Sequence, residues 1–485
     1  MPSAAPRTAL AIRARPIQNS SQTSDSSSTP LAPSQTSSSI PQASHTTSSI
    51  PPSTNKLKHR PCTSYSELSS FSSHSQFGFS VQHPSSFTSI SASANDRPSK
   101  RPMPTPRKTI AVVNASGRQA ASFIRVASAV GYTVRAQLRN LDGIVASEIS
   151  SLPNVKVLVG ELYVQSLSPE VSASLGTKVT GSPNHELIRE LYRGAQLAFV
   201  NTTFWGDEVA LGKALADAAV TAGIEHYIYS SMPNHSLHNP SWPSLPLWSS
   251  KATIEAYIRS LPFLASRTTY LYTGIYNNNF TSLPYPLFCM EWVEASAGFE
   301  WTAPFHPDVP LPWLDAEHDV GPAVIQVFKD GISRWGNGER VALAYEMLSP
   351  VEACAAFSRG VGRPVTYRYS PTIEVKVKIP AGYRDQLLAL EKMYLLGAAD
   401  STLQPPYFGS SDMERSCPAE ALELWEGYRG LEEYAREVFP LEEAANGLVW
   451  MNAQEEEDGE GYGSEEEGSV MGSDTPARKE ESWLA

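Results

Sequence analysis

Residues Lys108 to Arg139 read "KTIAVVNASGRQAASFIRVASAVGYTVRAQLR", a β-branched run that enters a small-residue turn and leaves it as a helix. Asn114, Gly117 and Ala120 stand three apart there, the spacing at which a βαβ unit ordinarily sets three glycines around a pyrophosphate. Asn is the non-glycine residue that best tolerates a positive φ, so Asn114 can keep the tight turn. Gly117 leaves room for a phosphate to approach, and Ala120 is small enough for the helix to pack on the strand. Arg118 and Gln119 fall on the first helical turn, where orphan amides and the helix dipole favour an anion, and Arg118 can add a charge-assisted bond. An ordinary strand–turn–helix that binds nothing is the plainer reading of the same residues.

The second strand closes with Arg139 and Asn140, where an NAD-specific site offers Asp or Glu to the adenosine ribose. Asp142 lies slightly beyond. Arg at that place accommodates a 2′-phosphate, so NADP should be accepted and strict NAD specificity is not expected. After the fourth expected strand, "NTT" (Asn201, Thr202, Thr203) supplies small polar groups at the carboxyl edge of the sheet, where a ligand crevice belongs.

Reduction on such a scaffold needs a Tyr proton donor with a Lys four residues further along the helix. Lys251 stands in "LPLWSSKATIEAYI", but four residues before it is Leu247, which transfers no proton. Trp248 is no substitute, and Tyr257 lies six residues on, off the facing side. Tyr229 and Ser231 end the fifth expected strand and could act only in an unusual arrangement. Lys251 can still bond a ribose hydroxyl, although an exposed helix lysine is the plainer alternative. The residues point to dinucleotide binding without turnover.

The elements that position these groups alternate regularly. Strands are expected at 109–113, 133–138, 155–160, 197–201, 226–231 and 269–276, with helices between them. Gly131, Gly194 and Gly223 stop helices, and Asp207 is a suitable N-cap. Apolar strands alternating with helices imply a doubly wound parallel sheet of Rossmann type, with a smaller α/β domain behind it. The expected division is a dinucleotide-binding domain at 108–275, with 163–184 an inserted loop, and a smaller partner-binding domain at 276–452. In the latter, "GERVALAYE", "VTYRY" and "EVKVKI" read as strands, and "SPVEACAAFSRGVG" and "AEALELWEGYRGLEEYAREVF" as helices.

The flanks differ in kind. Residues 1–107 are rich in Ser, Thr, Pro and Gln and carry ten Lys and Arg against three Asp and Glu, a composition that reads as a disordered basic arm. Residues 453–485 read as an acidic, Gly-rich disordered tail. The whole chain has a formal charge of −12, and the part between the flanks is itself acidic, which disfavours direct nucleic-acid binding and suits a basic protein partner. Cys62, Cys289, Cys354 and Cys417 form no CxxC pair, which suggests a reducing compartment with neither a disulfide framework nor a zinc site. No run of 18 apolar residues occurs. "KLKHR" and "RPSKRPMPTPRK" can serve nuclear import, or no address at all, and the first residues partly resemble a transit peptide. Nucleus and cytoplasm are the expected locations.

The stretches "KTIAVVNASGRQAAS", "HYIYSSMPNHSL", "GIYNNNFTSLPYPLF", "PDVPLPWLDAEHDVGPA" and "EEYAREVFPLEEAANGL" resemble the NmrA-like family of fungal nitrogen metabolite repression regulators, over about 108–451. The resemblance implies a short-chain-dehydrogenase-like fold without enzymology, binding oxidised NAD or NADP in preference to the reduced forms. It further implies negative regulation through a GATA-type zinc-finger activator, whose basic finger would meet carboxylates such as those of 431–443. On that likeness Asn114, Ser116, Gly117, Arg118 and Gln119 line the pyrophosphate and Arg139 the adenosine ribose. Asn201, Thr202 and Thr203 follow, with Lys251 near the nicotinamide ribose. Arg139, where the family pattern has His, and the 163–184 loop depart from it. An active NAD(P)H-dependent reductase is the alternative.

Overall fold

The computed structural model describes residues 106–164, 181–204 and 206–447. The acidic tail, nearly all of the N-terminal arm and the middle of the 163–184 insertion lie outside the described residues. Seven strands form one sheet: β1 (Thr109–Val112), β2 (Thr133–Leu138), β3 (Val155–Val159), β4 (Leu197–Val200), β5 (His226–Ser231), β6 (Thr268–Thr273) and β7 (Glu339–Leu343). Their order is β7-β6-β5-β4-β1-β2-β3, and every pair is parallel. The order reverses between β1 and β4, which opens a crevice at the carboxyl ends of those two strands.

Residues alternate faces along each strand, so the sheet divides the core in two. Ile110, Val112, Phe199 and Leu271 pack on one side with α1 (Arg118–Val130) and α2 (Ile144–Ser151). Ala111, Val113, Tyr227 and Tyr270 pack on the other with α3 (His185–Tyr192), α4 (Glu208–Ala222) and α5 (Pro246–Ser260). The expected helix stops hold: Gly131 and Gly223 take left-handed C-caps, and the Asp207 carboxylate accepts from Ala210 N–H.

The division expected at 275/276 does not follow the sheet. β7 comes from beyond it, and so does α6 (Ala316–Asp330), which completes the α1 side of the core. The two helices approach so closely that a Cβ on Gly321 would stand 2.5 Å from the Ser122 carbonyl oxygen. What remains is a smaller layer with its own core, built around Phe280, Phe299, Trp301, Trp313 and Phe357. "TYLYTGIY" is not one strand, because it breaks at Gly274, where a Cβ would stand 2.7 Å from the Pro312 carbonyl oxygen, and Ile275–Tyr276 joins a small second sheet. "EVKVKI" forms no strand: between Pro371 and Pro380 its apolar side chains reach the core without a ladder. The single helix expected from 419 onward is broken at 425–430 into Ala419–Leu424 and α7 (Leu431–Glu437), with α8 (Phe439–Ala445) after it. The ends of the insertion pair as a short antiparallel ladder, Tyr163–Val164 with Ser182–Pro183.

Two buried histidines give the fold a pH dependence. His226 bonds the Thr269 hydroxyl at 2.8 Å and His235 the Pro406 carbonyl at 2.9 Å. Burial lowers both imidazoles to about 4, so each is neutral in the folded chain near pH 7. The unfolded rings protonate first, near pH 6.5, so stability is complete above that value and falls as pH drops toward 4. The expected loss is about 2 kcal/mol per ring at pH 5. Urea midpoints at pH 7 and pH 5 should therefore differ less in His226→Gln than in wild type; an unchanged difference would refute the assignment.

Candidate cofactor-binding cleft

Asn114 follows β1 with φ +52°, the left-handed conformation expected of a residue standing in for glycine. Its main-chain N–H donates to Gln137 Oε1 at 3.0 Å, and its side-chain Nδ2 donates to the Asn201 carbonyl at 2.8 Å. The turn is thus tied to β2 on one side and to the end of β4 on the other. Gln137 carries the β2 side of this pinning and was not singled out in the sequence. Replacing Asn114 by Gly should preserve the turn at the cost of one hydrogen bond. Asn114→Val should cost about 1–2 kcal/mol more, the price of left-handed backbone for a branched residue, read from denaturant midpoints.

Gly117 caps α1 with φ −69° and ψ 152° and donates to the Asn114 carbonyl at 2.9 Å. Any residue adopts that backbone, so the conformation itself does not require glycine there. The first turn of α1 contains no acid of its own, so no carboxylate within the helix competes with an anion for its N-terminal amides. Ala120 is buried against the sheet, as its size allows. Ser116 is half-buried within the turn.

Arg118 stands at the first position of α1. Its guanidinium lies 2.5 Å from Glu317 at the start of α6 and 3.6 Å from Glu442 on α8. Gln119 is buried, donates from Nε2 to the Tyr276 hydroxyl, and has an Oε1 with no partner among the described residues. A buried acceptor left open at a cleft wall fits a ligand that donates a hydrogen bond. Arg139 is exposed just past β2 at the same sheet edge.

Asn201, Thr202 and Thr203 line the cleft with Leu247 and Lys251. Leu247 and Lys251 sit four apart on α5, so they share a face. Lys251 Nζ donates to the Thr202 carbonyl at 2.6 Å and to Asn201 Oδ1 at 3.1 Å, and it stands 3.3 Å from Glu208 Oε1. Thr202 Oγ1 in turn donates to Glu208 at 2.8 Å and lies 3.0 Å from the Tyr229 hydroxyl. Tyr229 is fully buried, and that burial raises its phenol far above the ordinary range. Neither it nor the buried Ser231 opens as a proton donor. Four residues before Lys251, the α5 face toward the cleft carries the aliphatic Leu247.

The far wall was invisible in the sequence. Phe288, Phe305, Tyr383, Leu390, Tyr394 and Tyr407 close the cleft from the smaller layer. Gln386 joins that wall to α5 by accepting from Leu247 N–H at 3.0 Å. No motif marks these residues, since they reach the cleft only in three dimensions.

The sequence model of the NmrA-like family matches residues 106–435. The chain is 61% identical over 395 residues to the nitrogen metabolite repression protein nmr of Neurospora crassa, covering 80% of this chain and 79% of that one. It is 50% identical over 378 residues to the nitrogen metabolite repression protein nmrA of Emericella nidulans, covering 71% of this chain and 99% of the relative. Solved structures of Nmra, a negative transcriptional regulator, in complex with NAD and with NADP each superpose with a TM-score of 0.62 and 53% identity, covering 71% of this chain and 99% of theirs. The doubly wound sheet, its cofactor turn and the layer that closes the cleft all fall within these matches, and the chain belongs to the NmrA-like family.

Proposed function

We propose that this protein is a negative transcriptional regulator in nitrogen metabolite repression that binds oxidised NAD or NADP and a GATA-type zinc-finger activator, without turnover. The observation that carries the reading is Leu247, four residues before Lys251 in a cleft that otherwise keeps its dinucleotide features. The names of the relatives and the NAD and NADP complexes of Nmra support the regulatory and cofactor parts. Asn114, Ser116, Gly117 and the main chain at Arg118 and Gln119 would hold the pyrophosphate, Arg139 the adenosine ribose or its 2′-phosphate, and Asn201, Thr202, Thr203 and Lys251 the nicotinamide half. The aromatic wall favours a cationic nicotinamide over a neutral one. An acidic chain suits a basic finger, and such a role places the protein in nucleus and cytoplasm.

Calorimetry with the full chain should show NAD and NADP binding more tightly than NADH and NADPH, and immobilised GATA-type finger should retain the protein. Absence of finger binding would remove the regulatory reading. One observation favours the reductase alternative: the Tyr276 hydroxyl reaches the cleft beside Gln119. Steady NADPH consumption with a carbonyl substrate, lost in Tyr276→Phe, would establish it.

A further inference from the structure

We propose that Glu442 on α8 sets the affinity for the dinucleotide, because α8 and the dinucleotide's phosphates compete for the guanidinium of Arg118. This deepens the cofactor reading and rests on it.

Three observations carry it. Arg118 opens α1, so its main chain lies at the helix N-terminus, while its guanidinium reaches Glu317 on α6 and Glu442 on α8. One side chain thus ties the cofactor helix to the last described helix. Second, the cluster that joins these helices holds more acid than base. Asp315, Glu317, Asp319 and Glu442 stand against Arg118 and Arg429, the latter bonding Asp315 at 3.2 Å and, through its main-chain N–H, Asp319 at 3.1 Å. A phosphate arriving at α1 draws on the same guanidinium, and what it gains there Glu442 loses. Third, Glu442 can give Arg118 up. Its side chain is 18% exposed and also accepts from the Tyr434 hydroxyl at 2.9 Å, so release strands no buried charge. The next residue, Glu443, is fully buried and bonds Thr281 at 3.0 Å and the Ser282 N–H at 3.1 Å, an anchor that no phosphate at α1 contests. Docking of α8 and binding at α1 are then linked: each weakens the other by the same factor.

The test titrates NAD calorimetrically into the full-length protein and follows amide hydrogen exchange over 439–445 with and without saturating NAD. Glu442→Gln removes the charge but keeps an acceptor for Tyr434, and it should tighten NAD about three- to tenfold. Glu437→Gln, the same charge change at an exposed site on α7, should shift affinity less than about twofold. In an Arg118→Gln background the gain from Glu442→Gln should fall to about twofold or less, since the contested guanidinium is absent. Saturating NAD should speed exchange in α8 of the wild type about threefold or more, and leave that of Arg118→Gln unchanged. NAD binding that Glu442→Gln leaves unchanged or weakens would overturn the proposal. So would an equal gain from Glu437→Gln or in the Arg118→Gln background, or α8 exchange in the wild type that NAD leaves unchanged or slows. Failure of the wild type to bind NAD at all would remove the cofactor reading, and this proposal with it.

Discussion

Gly117→Val is expected to weaken NAD binding more than about a hundredfold, some 2.7 kcal/mol, while leaving the unfolding midpoint close to wild type. The separation of the two effects follows from the backbone. With φ −69° and ψ 152°, residue 117 occupies extended space that valine prefers. Both main-chain bonds at this position survive the change, since Gly117 N–H donates to Asn114 and its carbonyl accepts from Ala121. What valine adds is a branched side chain at the mouth of α1, where a pyrophosphate must come close to the first-turn amides. Calorimetry and urea denaturation on the same preparation decide the matter. Binding within threefold or so of wild type would mean that the phosphate takes another route, and a large loss of stability would mean that the glycine is structural after all.

The turn is the part of the site that was legible in the sequence, because it is local. Asn114, Gly117 and Ala120 lie within seven consecutive residues, and the positive φ at Asn114 is a property of one residue type at one position. Strand alternation and the caps at Asp207, Gly131 and Gly223 are local for the same reason. The pair Leu247 and Lys251 is equally readable, being one helical turn apart. What completes the cleft is not local. Gln119 meets Tyr276 157 residues away, Leu247 meets Gln386 at a separation of 139, and Arg118 meets Glu317 at 199. No spacing rule reaches that far. The same blindness placed β7 and α6 in a second domain, since the chain leaves the sheet after β6, builds part of another layer, and then returns. "EVKVKI" failed for a different reason: alternation reports which side chains are buried, and a segment between prolines can bury them without pairing.

Lys251→Ala is expected to destabilise the protein by about 3–5 kcal/mol, an effect larger than its removal from a helix surface would produce. The lysine is 14% exposed and Glu208 only 4%, so the substitution strands a carboxylate inside the protein with a single side-chain donor, Thr202, to hold it. It also removes the donor that the Thr202 carbonyl and Asn201 Oδ1 share, loosening the very segment that ties the Asn114 turn to β4. The double variant Lys251→Ala/Glu208→Gln should recover most of the loss, because a neutral amide tolerates burial and can still accept from Thr202. Dinucleotide affinity should not recover with it if Lys251 also touches the ribose. Denaturant midpoints across wild type, both single variants and the double variant give the coupling energy directly. Additive losses would show that Lys251 and Glu208 act independently, and that the lysine is held only for the ligand. A large coupling would explain how Lys251 stays fixed in the cleft beside Leu247: the ammonium is a cross-link between α5, α4 and the end of β4, and the fold itself requires it.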